Sequence, residues 1–254
     1  MGALAALSSP IVLFLALPVL LLAGSLKPGE LVAHLGSPLA LQALGVTLRT
    51  TAAATLLCVA AGLPAAYLLA RFQFRGKTFL DALLDLPITI PPVVAGVALL
   101  LAFGRRGLIG RQFELLGVEI GFTGVAVVMA QVFIAAPFFV KAARAGFEAV
   151  DPRLEAAART LGAAPARTFW TVTVPLALPS LLAGTVMAWA RALSEFGATM
   201  MFAGNFPGRT QTLSLAVMTA MESDLDTAVA VSTLTLFLAV GALVLARLLA
   251  KRYV

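Results

Sequence analysis

The stretch that decides the fold runs from Glu148 to Pro179 and reads EAVDPRLEAAARTLGAAPARTFWTVTVPLALP. Asp151 is suited to cap a helix that begins at Pro152, because proline lacks the N–H group that would be unpaired at that position. Gly162 is the residue type that commonly ends helices. Between them, apolar residues recur at helical spacing and form a narrow face, made by Leu154, Ala157, Ala158 and Leu161. The stretch predicts a short amphipathic helix suited to docking.

The composition around this stretch is that of a membrane protein. The chain has 254 residues, of which 61% are hydrophobic and 12% charged, and its mean hydropathy is +1.00. No soluble domain needs so much apolar surface. The net charge of +6 is better explained by cytoplasmic loop residues that orient the spans than by binding of nucleic acid. A single Cys and a single His exclude a cysteine-based or multi-histidine metal site in one chain, so we expect no metal and no cofactor.

Six charge-free runs are long enough to cross the hydrocarbon, which takes about 20 residues. The runs are Ala5–Leu26, Thr50–Ala70, Leu86–Gly104, Phe122–Val140, Thr168–Ala190 and Thr227–Ala246. No linker or repeat divides them. The sequence therefore predicts an all-α, polytopic membrane protein with six transmembrane helices in a single domain, residues 1–254. The docking region, residues 148–175, lies between the fourth and fifth spans.

Lys and Arg favour one orientation of these spans, because cytoplasmic loops carry an excess of them. With the N-terminus inside, the inner side holds Arg71, Arg75, Lys77, Lys141, Arg144, Arg153, Arg159, Arg167, Arg247, Lys251 and Arg252. The outer side then holds Lys27, Arg49, Arg105, Arg106, Arg111, Arg191 and Arg209. The bias predicts both termini in the cytoplasm, and it places the docking region there too.

The docking region resembles the cytoplasmic loop of ABC-importer permeases. That family's pattern is Glu-Ala-Ala, three residues, Gly, nine residues, Ile, one residue and Leu-Pro. From Gly162, nine residues lead to Val172, and Val174 and Pro175 follow after one more residue. The acid stands one place earlier than the pattern requires, at Glu155, which is about 100° around a helix and leaves open which face it occupies.

The resemblance implies the type I permease fold and a coupling helix that fits a cleft on a separate ATPase. The residues implied in docking are Asp151, Arg153, Glu155, Ala157, Ala158 and Gly162. An ordinary surface helix in a membrane protein's loop is the alternative. The chain itself has no G-x-x-x-x-G-K-[ST] phosphate loop and no nucleophile elbow, so we expect it to be no enzyme and to leave ATP hydrolysis to its partner.

A second polar stretch, the turn region, covers residues 191–215 and reads RALSEFGATMMFAGNFPGRTQTLSL. Arg191 and Glu195 are four residues apart on one helix and are able to pair. Pro207-Gly208 suits the centre of a type II turn. Donors without acidic neighbours follow, and such groups suit an oxyanion; they are Arg209, Thr210, Gln211, Thr212 and Ser214. The alternative is that these residues only shape the external end of the bundle.

The turn region resembles the segment after the fifth helix of molybdate/tungstate permeases, in Glu195–Thr199, Gly204-Asn205 and Pro207–Leu213. Leu86-Pro87-Ile88 with Pro91–Gly96 is similar to that family's third helix. Sulfate permeases match less closely. The gate and pathway candidates are Pro91, Pro92, Gly96, Ser194, Glu195, Thr199, Asn205, Arg209, Thr210 and Gln211.

The resemblance implies import of molybdate or tungstate across the cytoplasmic membrane by ATP-driven alternating access. It also implies a homodimer, two ATPase subunits and an external oxyanion-binding protein. A sulfate/thiosulfate permease is the alternative within this class. An ion-coupled carrier or a channel without an ATPase is the alternative outside it, although such carriers usually need ionisable residues at mid-depth, and the six runs contain none.

Overall fold

The computed structural model describes residues 2–252, with side-chain surroundings for residues 9–245 and 248. All regular secondary structure in this range is helical, in agreement with the predicted all-α class. The α-helices in chain order are α1 (Gly2–Gly24), α2 (Pro28–Leu35), α3 (Pro38–Arg71), α4 (Lys77–Thr89), α5 (Pro92–Phe103), α6 (Gly110–Leu115), α7 (Gly124–Ala149), α8 (Pro152–Thr160), α9 (Pro165–Thr168), α10 (Val174–Leu193), α11 (Gly197–Ala203), α12 (Leu213–Met221) and α13 (Leu225–Arg252). A π-helical turn, Phe169–Thr173, joins α9 to α10.

Four helical stretches are long and apolar enough to cross a membrane by themselves. They are α3, α7, the continuous stretch Pro165–Leu193, and Leu225–Leu245 within α13. Two further candidates are bent pairs, Ser9–Gly24 with α2 at 78° and α4 with α5 at 117°. With each bent pair counted as one span, the described residues contain the six predicted spans, and α8 lies between the fourth and the fifth.

The third predicted span, Leu86–Gly104, is a broken helix and not a continuous one. α4 ends at Thr89, and Ile90 is extended, with φ −81° and ψ 144°. A residue before a proline avoids helical conformation, and neither Pro91 nor Pro92 has an N–H to continue the hydrogen-bond ladder. α5 therefore begins again in a new direction, and with 12 residues it is only about 18 Å long.

The second span is longer than its charge-free run. The Ser37 hydroxyl oxygen accepts a hydrogen bond from the Ala40 N–H at 3.3 Å, and Pro38 occupies the first position of α3. The resulting 34-residue helix is about 51 Å long, which exceeds the thickness of the hydrocarbon. The ends of α3 therefore reach beyond the membrane core, and its last residue, Arg71, comes close to the docking region.

The core of the bundle is α7, against which α3 and α10 pack on two sides. Small residues allow these helices to approach closely. A Cβ atom on Gly62 of α3 would lie 2.6 Å from Phe139 Cδ1 of α7, and one on Gly184 of α10 would lie 2.8 Å from the Ala142 Cβ. Phe139 and Phe147 are fully buried in the same cluster. Since α10 has 20 residues and is about 30 Å long, the docking region and the turn region lie at opposite ends of this core.

Candidate functional site

The docking helix is α8, and its ends form as the sequence predicts. The Asp151 side chain accepts a hydrogen bond from the Arg153 N–H at 2.9 Å, which caps the N-terminus. At the other end, Gly162 has φ +89°, a left-handed conformation that favours glycine. A Cβ atom there would meet nothing within 4 Å, so the demand for glycine comes from the backbone alone.

The outer face of α8 has no partner among the described residues. Leu154 is 48% exposed and Leu161 is 89% exposed. Arg153 and Ala157 are also exposed, while Ala158 is half-buried. Large exposed leucines beside small residues and a charged rim make a surface on which another protein can pack. Asp151 and Gly162 are exposed too, so five of the six predicted docking residues have at least part of their surface open to a partner.

Glu155 differs from the other five, and its assignment to the docking surface is corrected. It is only 6% exposed and points into the bundle. Its Oε1 atom accepts hydrogen bonds from Arg71 Nη2 at 2.8 Å and Nε at 3.2 Å, and from Thr173 Oγ1 at 2.9 Å. The one-residue displacement from the family pattern places this carboxylate on the inner face. Arg71 and Glu155, the anchor pair, hold the docking helix from beneath.

In the turn region, the pairing of Arg191 with Glu195 is confirmed. Glu195 is 1% exposed, and its Oε1 accepts a hydrogen bond from the Ala198 N–H at 2.8 Å, which supports the start of α11. Its Oε2 lies 3.0 Å from Arg191 Nη2, an ion-pair contact without hydrogen-bond alignment. The Arg191 side chain is 25% exposed. The pair of Arg191 and Glu195 therefore stabilises the end of the bundle.

Two predicted oxyanion donors, Thr210 and Gln211, are turned inward together with the gate candidate Asn205, so the expectation that these donors face an anion is corrected for this conformation. Gln211 Nε2 donates to Asn205 Oδ1 at 2.9 Å and to Thr219 Oγ1 at 3.1 Å. Asn205 Nδ2 also donates to Thr219 Oγ1, at 2.9 Å. The Thr210 hydroxyl accepts from the Phe206 N–H at 3.0 Å. The donor groups of these side chains are thus used within the chain, although Gln211 Oε1 has no partner, and Thr210 and Gln211 are buried.

Arg209 is the predicted donor that reaches solvent. Its residue is exposed, and its guanidinium makes no hydrogen bond or ion pair within residues 9–245. The turn that carries it has Gly208 at φ +69°, and the Arg209 N–H donates to the Phe206 carbonyl at 3.1 Å. The side chain is thus presented at the end of the bundle opposite to the docking helix.

The remaining gate candidates are brought together by α5 and α11. A Cβ atom on Gly96 would lie 2.7 Å from the Ala198 carbonyl oxygen, and one on Gly197 would lie 3.1 Å from the Pro92 Cβ. The helix that begins at the proline break therefore packs directly on the turn region. Two of the candidates sit at its rim, since Pro91 is exposed and the exposed Ser194 hydroxyl donates to the Arg191 carbonyl at 3.2 Å.

Several buried polar atoms in the described range lack a hydrogen-bond partner, and they concentrate around the turn region. They are Gln131 Oε1, Glu195 Oε2, Thr199 Oγ1, Gln211 Oε1 and Thr212 Oγ1. Sequence reasoning missed Gln131, a lone amide in the apolar fourth run. It also missed Arg71, Thr173 and Thr219, whose partners lie on other elements. Of these four residues, only Gln131 and Thr173 had a signal in the sequence, because each is a polar residue within an apolar run.

These features define a class: a polytopic, all-helical membrane protein with one short exposed helix between its fourth and fifth spans. The chain belongs to the family described as binding-protein-dependent transport system inner membrane component, whose profile matches residues 59–254. It is therefore a multi-pass transport component of the inner membrane.

Similar proteins support the same family. The molybdenum transport system permease protein ModB of Mycobacterium tuberculosis is 42% identical over 228 residues, covering 90% of this chain and 86% of the relative. ModB of Escherichia coli K12 is 44% identical over 183 residues, covering 72% and 80%. The molybdate/tungstate permease protein WtpB of Pyrococcus abyssi is 39% identical over 211 residues, covering 82% and 79%.

Solved structures share the fold at low sequence identity. A bacterial ABC transporter involved in the import of the polysaccharide alginate matches with a TM-score of 0.76 at 15% identity, covering 99% of this chain and 96% of that chain. An amino acid ABC transporter matches with a TM-score of 0.60 at 20% identity, covering 85% and 94%. The type I importer permease fold predicted from the docking region is thereby confirmed.

Proposed function

We propose that this chain is the membrane-spanning subunit of an ABC importer that carries molybdate or tungstate into the cytoplasm. The observation that carries the transport mechanism is the docking helix, whose outer face is exposed and whose inner face is held by the anchor pair. The substrate rests on relatives at 39–44% identity that are named as molybdenum or molybdate/tungstate permeases.

In this proposal two copies of the chain form the pathway, and one ATPase subunit docks beneath each copy. Both termini lie in the cytoplasm, together with α8. ATP is hydrolysed in the partner, and this chain needs no cofactor. An external oxyanion-binding protein delivers the substrate; the alginate transporter, whose structure was solved in complex with a periplasmic protein, supports a partner of this kind.

The spans contain few charged residues that would hold an anion tightly, and this is the basis of the proposed pathway. The four continuous membrane-crossing stretches carry few charges, and the charged residues of the turn region pair with each other or stand at its surface. A dianion held tightly inside the membrane would leave slowly, since conduction needs binding that is weak enough for release. Selectivity therefore rests chiefly on the binding protein, and the permease supplies a gated route.

Docking is tested by adding bulk and charge to the exposed face of α8. We expect Ala157→Arg and Gly162→Glu to release the ATPase while the permease stays in the membrane, because the first blocks close approach and the second also strains a residue at φ +89°. Ser223→Arg adds the same charge as Ala157→Arg, at an exposed site at the opposite end of the bundle, and is the matched control for that variant. Co-purification of the ATPase measures the outcome, and its full retention in both docking variants would contradict the role of α8.

The substrate is tested in vesicles that contain the permease and its ATPase, with the binding protein and ATP supplied on their own sides. We expect molybdate uptake that depends on all three components and that excess sulfate leaves unchanged. Equal competition by sulfate at matched concentration would favour the sulfate permease. Uptake that needs no ATPase would favour a carrier or a channel.

A further inference from the structure

We propose that the anchor pair, Arg71 and Glu155, is the positioning link that carries movement of the docking helix into α3 and α10. The proposal rests on the proposed function, in which a separate ATPase moves α8. The two residues are positioning residues: their side chains are turned into the bundle, and they act through the elements that they join.

One carboxylate oxygen connects three segments of the chain. Glu155 Oε1 accepts two hydrogen bonds from Arg71, the last residue of α3, and one from Thr173, the last residue of the π-helical turn. Arg71 Nη2 also donates to the Val150 carbonyl at 2.9 Å, at the end of α7. A displacement of α8 is therefore applied directly to the end of α3 and to the start of α10, and through Arg71 to the end of α7.

The link is buried, which makes it stiff. The side chains of Arg71 and Glu155 are 12% and 8% exposed, and Thr173 is fully buried. Charge-assisted hydrogen bonds are stronger where water is excluded, and the planar guanidinium fixes their direction. A surface ion pair would give way under movement of the partner, whereas this pair holds its geometry.

Apolar packing does not replace this link. An open cavity of about 570 Å³ lies beside the pair, between α8 and the end of α3, and its wall includes Tyr67, Phe72, Pro152 and Ala156. Leu154 of α8 and Leu161, which directly follows the helix, are exposed instead of buried against the bundle. The docking helix thus contacts its own bundle mainly through the Glu155 carboxylate. At its other end, the left-handed conformation of Gly162 makes a sharp turn toward α9.

The π-helical turn is the element that receives this contact. π turns are rare, occur mostly as single turns and are frequent at functional sites. This one begins at Phe169, whose ring packs on Tyr67 of α3 with centroids 4.8 Å apart and on Phe147 of α7 with centroids 6.0 Å apart. Thr173 is therefore placed where a pull on its hydroxyl acts on α10 while the aromatic rings keep the three helices together.

The test separates docking from coupling. We expect Glu155→Gln to keep the ATPase bound and hydrolysing, while the molybdate taken up per ATP hydrolysed falls about tenfold, the effect of a loss of about 1.4 kcal/mol. Arg71→Lys keeps the charge and at least one hydrogen-bond donor, so its uptake of molybdate per ATP should fall less. Arg75→Gln removes an exposed Arg from the neighbouring loop and serves as the matched control, with unchanged uptake per ATP.

A purely structural role is separated by the double variant Arg71→Met/Glu155→Leu. Neither charge is then left unpaired, so thermal stability should recover, whereas uptake per ATP should stay low because the polar link is gone. Recovered uptake per ATP in the double variant would overturn the proposal. A Glu155→Gln variant with normal uptake per ATP would also overturn it. So would a Glu155→Gln variant that loses the ATPase, as Ala157→Arg is expected to do. If Ala157→Arg itself keeps the ATPase, the proposed docking fails, and that result is distinguishable from failure of the link.

Discussion

The docking region and the turn region are two polar interruptions of an apolar chain, and they use their polar residues in opposite ways. In the docking region most side chains of α8 are exposed and one carboxylate is buried. In the turn region Glu195, Thr210 and Gln211 are buried, and Arg209 extends outward. The docking region keeps its surface for another molecule, while the turn region directs most of its polar side chains inward. The difference teaches that a run of hydrogen-bond donors is evidence of a binding site only when the surrounding fold leaves those donors unpaired and exposed.

The largest effect on stability is expected from Arg191→Ala in the turn region. It leaves the buried Glu195 carboxylate without its counter-charge, which should lower the free energy of unfolding by about 3 kcal/mol, the lower end for a broken buried pair because Arg191 is partly exposed. Thermal denaturation of the detergent-solubilised permease measures this. The double variant Arg191→Ala/Glu195→Ala should recover part of the loss and also molybdate uptake. A double variant that transports as poorly as Arg191→Ala would instead assign Arg191 to the pathway.

A smaller loss of stability is expected from Gln211→Ala. The change removes two hydrogen bonds and leaves the Asn205 amide oxygen unpaired, at a cost of about 1–3 kcal/mol. Arg209→Ala, two residues away and exposed, is the matched control and should stay within about 0.5 kcal/mol of the parent. The measurement is again thermal denaturation. Equal losses in the two variants would mean that the inward network does not hold the turn, and that the contrast between the two regions is smaller than the structure shows.

The smallest effect on stability is expected in the docking region, from Leu161→Ser. Since Leu161 is 89% exposed, its loss should change the free energy of unfolding by less than about 0.5 kcal/mol. The same change should weaken binding of the ATPase, because it removes the most exposed apolar side chain of the docking surface. Titration of the solubilised permease with purified ATPase measures this. If Leu161→Ser destabilised the permease and left its affinity for the ATPase unchanged, Leu161 would serve the fold and not docking, and the contrast with the turn region would be contradicted.

Local signals in the sequence were enough for the ends of the docking helix. Asp151, Pro152 and Gly162 each act on backbone groups within a few residues, and the structure places all three as predicted. The break at Pro91-Pro92 carries an equally local signal, to which the count of charge-free residues is insensitive. Hydropathy counts apolar residues without regard to backbone continuity, whereas the helix breaks here because the prolines lack N–H groups.

Long-range pairings could not be predicted in this way. Arg71 and Glu155 are 84 residues apart, and the sequence shows them only as one basic residue at the end of a span and one acid out of register. The interpretation of Thr210 and Gln211 as open donors is wrong for a different reason. Their partners are close in sequence, but the folding of the turn decides that the Phe206 N–H meets Thr210 and that the Asn205 and Thr219 side chains meet Gln211.

The sequence by itself determined the apolar spans, the place of the docking helix and the family, because hydrophobicity, helix capping and motif spacing act over short distances along the chain. Only the tertiary structure decided which polar groups face a partner and which face each other. That choice depends on the packing of α3, α7 and α10, which brings Arg71, Glu155 and Thr173 into hydrogen-bonding distance at one end and buries Glu195 at the other. A buried polar group requires a partner, and folding selects that partner from distant parts of the chain.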